Sequence, residues 1–365
     1  MGFDAEGGRR QYVSRTVHGD RRQAEVELTK LLRQVDEGAI TPRSGSVGEL
    51  CDAWYRQRCQ VLSPPVAYNY RRIIDRFILP RWGATALSRL RVVDIDAWYA
   101  ELLRGGGVGG RPLSASSVRR VHALFRTILE QGVRWGFLAS NPAAASSPPP
   151  VRRHQVELAA AGTDFARLIE EAARVNGALP VFMRLALATG ARRGELCALR
   201  WQDVDLRRGE VRIGRAIVEA GGVVTEKDTK THQVRRVSID RGTVAMLDAY
   251  RGEVDGILRS VGSSLSKEAF VFSHEPDGSK PWRPNYVTLA FCRLRDRLGL
   301  QGLRLHDLRH ASASLLLASG VDVRTVSGRL GHAHASTTLD VYAHLIRQAD
   351  QRAAGAIGEL LDGSR

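Results

Sequence analysis

Residues 323–345 read VRTVSGRLGHAHASTTLDVYAHL, and what this stretch means decides how the rest of the chain is read. In it His332 precedes Tyr342 by ten residues. A lone tyrosine on a helical segment is usually core or interface, so its company matters. Three other patches supply that company. Thr189-Gly190-Ala191-Arg192-Arg193-Gly194-Glu195 breaks one helical pattern and starts another. Lys230-Thr231 lies in a strand-like region and is followed by Arg235 and Arg236. His306-Asp307-Leu308-Arg309-His310 opens a helix after Leu305.

Together the four patches offer arginines, histidines, a lysine and a tyrosine, with few carboxylates. That set suits a phosphodiester. Cleaving one requires stabilising extra negative charge on its non-bridging oxygens, and guanidinium groups do so bidentately while staying charged at any working pH. No Asp/Glu cluster is present to hold Mg²⁺, so protein cations would take the metal's place and no cofactor or metal is expected. A tyrosine hydroxyl has an unperturbed pKa of about 10, and clustered positive charge would lower it. The leaving oxygen needs a proton, which arginine cannot give and lysine can. Lys230 is one candidate donor, and Lys227 is its close competitor. The HxxxH spacing of His306 and His310 also matches a zinc helix, but the Arg309 between them repels a cation and no third ligand is evident.

The segments TGARRGELCALRWQDVD, KTHQVRRVSID, HDLRHASASLLLASG and VRTVSGRLGHAHASTTLDVYAHL closely resemble the catalytic motifs of the tyrosine recombinases of the lambda-integrase type. The resemblance spans nearly all of residues 160–350. It implies that Arg192 and Arg309 clamp the scissile phosphate and that Lys230 protonates the leaving 5′-oxygen. His306 would serve as acid/base and phosphate contact, and His332 would hydrogen-bond the phosphate. Tyr342 would form a 3′-phosphotyrosyl link, and Glu195 would orient its arginine and histidine neighbours. The partners implied are double-stranded attachment-site DNA, a homo-tetramer on that DNA, an excisionase or directionality factor, and a host DNA-bending protein. A type IB topoisomerase-like enzyme and a non-catalytic DNA-binding regulator are the alternatives. Many relatives carry a proline near Ser238-Ile239; its absence leaves the choice between Lys230 and Lys227 open.

Outside these motifs the chain has the charge of a polyanion binder. Its 365 residues carry a net charge of +15, which is the footprint of nucleic-acid binding. Residues 44–142 hold 14 basic against 7 acidic residues. They read as a helical core DNA-binding domain, opened by the capping box Ser46-Val47-Gly48-Glu49, broken at Pro64-Pro65, and decorated by Arg71, Arg72, Arg119, Arg120 and Arg126 without matching acids. Four scattered cysteines form no CxxC pair, and no run of 18 apolar residues occurs, so a cytoplasmic, nucleoid-associated bacterial protein is expected, with no membrane role.

The expected fold is mainly α with a small β-sheet (α+β). Residues 1–43 form a small arm-binding-like unit, with a strand at Gln11–Val17 and a helix running to Gly38; it lacks the first strand of the family's arm unit. Residues 143–154, built around AAASSPPP, are an extended linker. Residues 155–365 are the catalytic domain, with strands at Val211–Val218, Val223–Thr225 and Val234–Ile239. An apolar stripe of Ala353, Ala354, Ile357, Leu360 and Leu361 follows the tyrosine; packing against its own chain is one expectation, and by the same resemblance docking on a neighbouring protomer is the other.

Overall fold

A computed structural model of the chain describes residues 16–17, 19–36, 45–151, 158–175, 177–228 and 234–332, together with residues 339 and 357. The chain divides into two units, Met1–Arg152 and Arg153–Arg365. Both are mostly helical, and the second adds two small antiparallel sheets.

The first unit begins with helix α1 (Arg21–Asp36). Asp20 caps it, its carboxylate accepting from the Gln23 amide at 2.8 Å. Val26 and Leu28 on this helix are exposed, so α1 buries little by itself. The expected strand at Gln11–Val17 lies outside the described residues up to residue 15.

Four longer helical stretches then build a core. Helix α2 (Val47–Arg58) starts at the expected capping box: the Glu49 amide donates to the Ser46 hydroxyl, and the Ser46 amide donates back to the Glu49 carboxylate. Pro64 and Pro65 open helix α3 (Pro64–Ile73), where a missing N–H costs nothing, so they begin a helix as well as ending a loop. A wide turn at Ile74–Ile78 follows, then the short α4 (Leu79–Trp82). Its cause is Pro80, which has no N–H for the carbonyl four residues back; the Leu79 amide instead bonds the Ile74 carbonyl. Helices α5 (Val92–Gly105) and α6 (Ala115–Arg134) complete the bundle.

Trp82, Trp98 and Phe125 meet at its centre, with ring centroids 5.5–6.3 Å apart. The expected linker starts as part of this unit. Ala143 is fully buried, and the Ser147 amide donates to Asp96 on α5 at 2.7 Å.

In the second unit, α7 (Leu158–Val175) and α8 (Ala178–Thr189) precede the short α9 (Arg193–Cys197). Strands β1 (Val204–Asp205), β2 (Glu210–Ile213) and β5 (Arg235–Ser238) form one sheet in the order β1-β2-β5. Strands β3 (Arg215–Ala220) and β4 (Val223–Asp228) form a separate hairpin turned by Gly221-Gly222. The expected single strand at 211–218 is therefore two strands, parted at Gly214 and paired in different sheets. Helices α10 (Arg241–Ser260), α11 (Pro284–Arg297), α12 (Asp307–Ala318) and α13 (Val323–Leu330) follow.

One core joins α8, α9, β2, β5 and α11 around Phe182, Phe272, Trp282 and Phe291. A smaller cluster of Ala313, Leu317, Val326 and Leu330 locks α13 to α12. Among the described residues no helix is long and apolar enough to cross a membrane. The apolar stripe expected near the C-terminus lies outside the described residues, apart from Ile357.

Phe125 has no exposed surface, stacks on Trp82 and meets Trp98 edge-to-face. Phe125→Ala should destabilise the first unit by about 3–5 kcal/mol. Urea unfolding followed by tryptophan fluorescence reads this directly, and an unchanged midpoint would contradict the packing.

Candidate active site

The first corner of the site is the break between α8 and α9. Gly190 ends α8 in the left-handed conformation, at φ 63° and ψ 16°. A Cβ there would come within 2.5 Å of Leu330 Cδ2, so both the backbone angle and the space require glycine. Thr189 Oγ1 accepts from the Ala191 amide at 3.2 Å and tightens the turn. Arg192 is thereby placed at the cap of α9, with Glu195 one turn along.

Glu195 is only 3 % exposed. Its Oε1 accepts from Arg192 Nη1 at 2.9 Å. Its Oε2 accepts from the Arg192 amide at 2.9 Å and from Arg235 Nη2 at 2.6 Å. Burial by itself would raise the Glu195 pKa. Arg235, and after it Arg192, outweigh that cost and hold the carboxyl below its usual range. A buried carboxylate of this kind is tolerated because it is paired on both oxygens.

The second corner is the start of α12. Asp307, 1 % exposed, accepts from the Arg304 amide at 2.8 Å and pairs with its guanidinium at 3.1 Å. This ties down the turn that presents His306. Arg309, 4 % exposed, donates from Nη1 to the Gly190 carbonyl at 2.6 Å, so α12 grips the same corner that carries Arg192.

The third corner is the end of α13. Gly331 is left-handed at φ 66°, and the following His332 amide bonds the Ser327 carbonyl at 3.1 Å. Arg192 Nη2 donates to the Gly331 carbonyl at 3.3 Å. A Cβ on Gly331 would meet Arg235 Nη1 at 2.8 Å, so the Arg235 guanidinium lies directly against this glycine.

Five residues singled out from the sequence therefore come together: Arg192, Glu195, His306, Arg309 and His332. The histidines register the crowding of cations. Burial, then His310 and Arg309, push the His306 pKa down to about 4. Burial, then Arg309 and Arg192, push His332 down to about 4. Both imidazoles are neutral at neutral pH. His306 and His310 pack edge-to-face at 4.9 Å, and among the described residues no set of three metal-binding side chains forms. A cavity of about 540 Å³ opens at the site, lined by Arg192, Arg193, Arg295, Arg304, His306 and Arg309 among others.

Lys230 and Tyr342 lie outside the described residues. Lys227, the competing lysine, is half-buried on β4 opposite Ala216. The sequence reading assigned no role to Arg235. A signal for it existed: in a strand, Arg235 shares a face with Val237, which is buried.

In the first unit, Arg119 and Arg126 lie on one face of α6. With Arg58, His122 and Arg134 they line a groove of about 610 Å³. Arg72 and Arg120 are exposed. Arg71 departs from the expectation of unmatched cations: it pairs with Asp52 at 2.8 Å and Asp75 at 2.6 Å.

A sequence profile described as the phage integrase family matches residues 163–349. The ICEBs1 integrase of Bacillus subtilis (strain 168) is 28% identical, over 99% of this chain and 96% of its own length. The Tn1549 transposon integrase, solved with a circular intermediate DNA, superposes with a TM-score of 0.68 at 16% identity, over 84% of this chain and 99% of that one. A lambda integrase tetramer bound to a Holliday junction gives 0.57 at 19% identity, over 91% and 92%. At these identities the two structures speak for the fold.

The depressed histidines set an acid limit on stability. In the unfolded chain each imidazole takes up a proton near its ordinary value of about 6.5; in the folded chain it does so only near 4. Their contribution is complete above about pH 6.5 and is lost as pH falls toward 4. The thermal midpoint should therefore be lower at pH 5 than at pH 7, before most carboxylates titrate. In His332→Asn, the less exposed of the two imidazoles, that drop should shrink by about 2 °C, since water partly screens the site. Scanning calorimetry at the two pH values checks this, and an equal drop in both proteins would refute it.

Proposed function

This chain belongs to the phage integrase family, and from that premise we propose how its residues carry out site-specific recombination for a mobile element. It is a tyrosine recombinase. The hydroxyl oxygen of Tyr342 attacks the scissile phosphorus, and the bond from phosphorus to the 5′-oxygen breaks. A 3′-phosphotyrosyl link forms, and Lys230 gives the departing 5′-oxygen its proton. The 5′-hydroxyl of a partner strand then attacks the same phosphorus and expels the tyrosine. Phosphodiester bonds are exchanged one for one, so neither ATP nor a metal enters the balance.

The observation that carries this reading is the convergence at the α8–α9 corner. Arg309 bonds the Gly190 carbonyl, while Arg192 bonds Glu195 and the Gly331 carbonyl beside His332. Two guanidiniums from distant segments are thus held around one small volume, where they can serve the non-bridging oxygens of one phosphate. His306 takes the tyrosine proton once the anionic phosphate, by offsetting the neighbouring arginines, raises its basicity again. His332 supplies a hydrogen bond to the phosphate. Glu195 does not touch the substrate; it orients Arg192.

The DNA is double-stranded attachment-site DNA. Residues 44–142 act as the core-binding domain, with the α6 face of Arg119 and Arg126 and the exposed Arg72 and Arg120 on the phosphate backbone. Arg71, already neutralised by two carboxylates, contributes less to that contact. Residues 1–43 are an arm-binding-like unit, residues 143–154 join the parts, and residues 155–365 are the catalytic domain. The active assembly is a homo-tetramer on DNA, and a directionality factor and a host DNA-bending protein set its outcome. The protein works in the bacterial cytoplasm, at the nucleoid.

Tyr342→Phe should bind a nicked duplex substrate at wild-type affinity and form no covalent adduct on denaturing gels. An adduct at wild-type level would overturn the assignment, and absence of any adduct with the wild type would make the chain a DNA-binding regulator. Lys230→Ala should cleave ordinary DNA at least about 100-fold more slowly, and recover when the leaving 5′-oxygen is replaced by sulfur, which leaves without a proton. Rescue seen with Lys227→Ala and absent with Lys230→Ala would exchange the two roles.

A further inference from the structure

Arg235 is not among the residues that touch the phosphate in the mechanism above, yet it is built into the same corner from three sides. Its Nη2 donates to Glu195 Oε2 at 2.6 Å, the shortest contact that carboxylate makes. Its Nε donates to the Arg329 carbonyl at 2.8 Å, on α13. Its guanidinium lies against Gly331, whose missing side chain leaves the room for it. The side chain is 10 % exposed, against 31 % for Arg192. Two guanidiniums thus share one buried carboxylate: the deeper one faces the protein and the shallower one faces the cavity.

The charges of this trio decide what Arg192 can do. An ion pair of Arg192 with Glu195 alone is neutral and would offer a phosphate little attraction. With Arg235 added, the trio carries one net positive charge, and the exposed member is Arg192. In a site of low effective dielectric this difference is large. We infer that Arg235 is a positioning residue that acts as the counter-cation of Glu195, leaving the charge of Arg192 available to the scissile phosphate. It also ties that charge to the end of α13, and so to the backbone that presents His332. The inference rests on the recombinase reading, because it takes Arg192 as the phosphate clamp.

The test separates charge balance from simple bracing. Full-length wild type, Arg235→Ala, Arg235→Lys, Glu195→Gln and the double variant Arg235→Ala/Glu195→Gln are compared for the rate of covalent attachment to a nicked suicide duplex, each after its fold is checked by circular dichroism. Arg235→Ala should lose about 100-fold, the scale of removing one preorganised charged group. Arg235→Lys, which keeps the charge, should stay within about tenfold of wild type. The double variant should regain about tenfold over Arg235→Ala, because removing the carboxylate's charge restores the net charge of the trio to plus one, and the new amide can turn toward the vacated space.

Bracing alone predicts the opposite sign: the double variant would be worse than either single one. A double variant no faster than Arg235→Ala, or an Arg235→Ala within threefold of wild type, overturns the inference. Should Arg235→Ala fail to fold, Arg235→Lys decides: a folded lysine variant slowed by more than about tenfold overturns it, and one within about tenfold of wild type upholds it. If the wild type itself forms no adduct, it is the recombinase reading that fails.

Discussion

A single buried carboxylate, Glu195, sets the geometry on which the rest of the site depends. It is almost wholly removed from water and accepts from Arg192 twice and from Arg235 once. A charge in that position is stable only while its partners hold it, so the partners are fixed by the same energy. Arg192 is therefore held in the folded chain between Glu195 and the Gly331 carbonyl. The entropy of ordering a long side chain is met during folding and not at the moment of reaction.

Backbone conformation supplies the second constraint. Two helices end in left-handed glycines, Gly190 and Gly331, and in each case the neighbouring side chains leave no space for a Cβ. The carbonyls at these two turns are the ones that Arg309 and Arg192 bind. Carbonyls that a helix would leave without partners thus become anchors for Arg309 and Arg192. The small apolar cluster between α12 and α13 keeps the turns in register, because Leu330, which closes on Gly190, belongs to it.

The cost of gathering so many cations shows in the histidines. Both His306 and His332 are pushed to about 4 by burial and by the arginines around them. Around this corner, among the described residues, Arg192, Arg235 and Arg309 outnumber the one carboxylate, Glu195. A phosphate would relieve that tension, which is why preorganised sites bind the charge that develops in a reaction better than water does. The first unit handles its own charge differently. Arg71 is neutralised internally, while the α6 arginines Arg119 and Arg126 line an open groove.

Much was legible in the sequence. The capping box at Ser46, the apolar faces of the long helices and the turn at Thr189-Gly190 are local patterns, and local physics fixes them. The order and spacing of the motifs around Arg192, Arg309, His332 and Tyr342 pointed to the family, which the profile match over residues 163–349 bears out. Other features were not legible. The division of one strand into two sheets at Gly214, the packing of residues 143–147 on α5, the pairing of Arg71 with Asp52 and Asp75, and the place of Arg235 behind Arg192 all depend on contacts between residues far apart in the chain. Side-chain type and spacing determine which groups a helix or strand can offer. Which of two arginines faces the carboxylate and which faces the cavity is decided only when distant elements close on one another, because burial and charge pairing are properties of that closed volume.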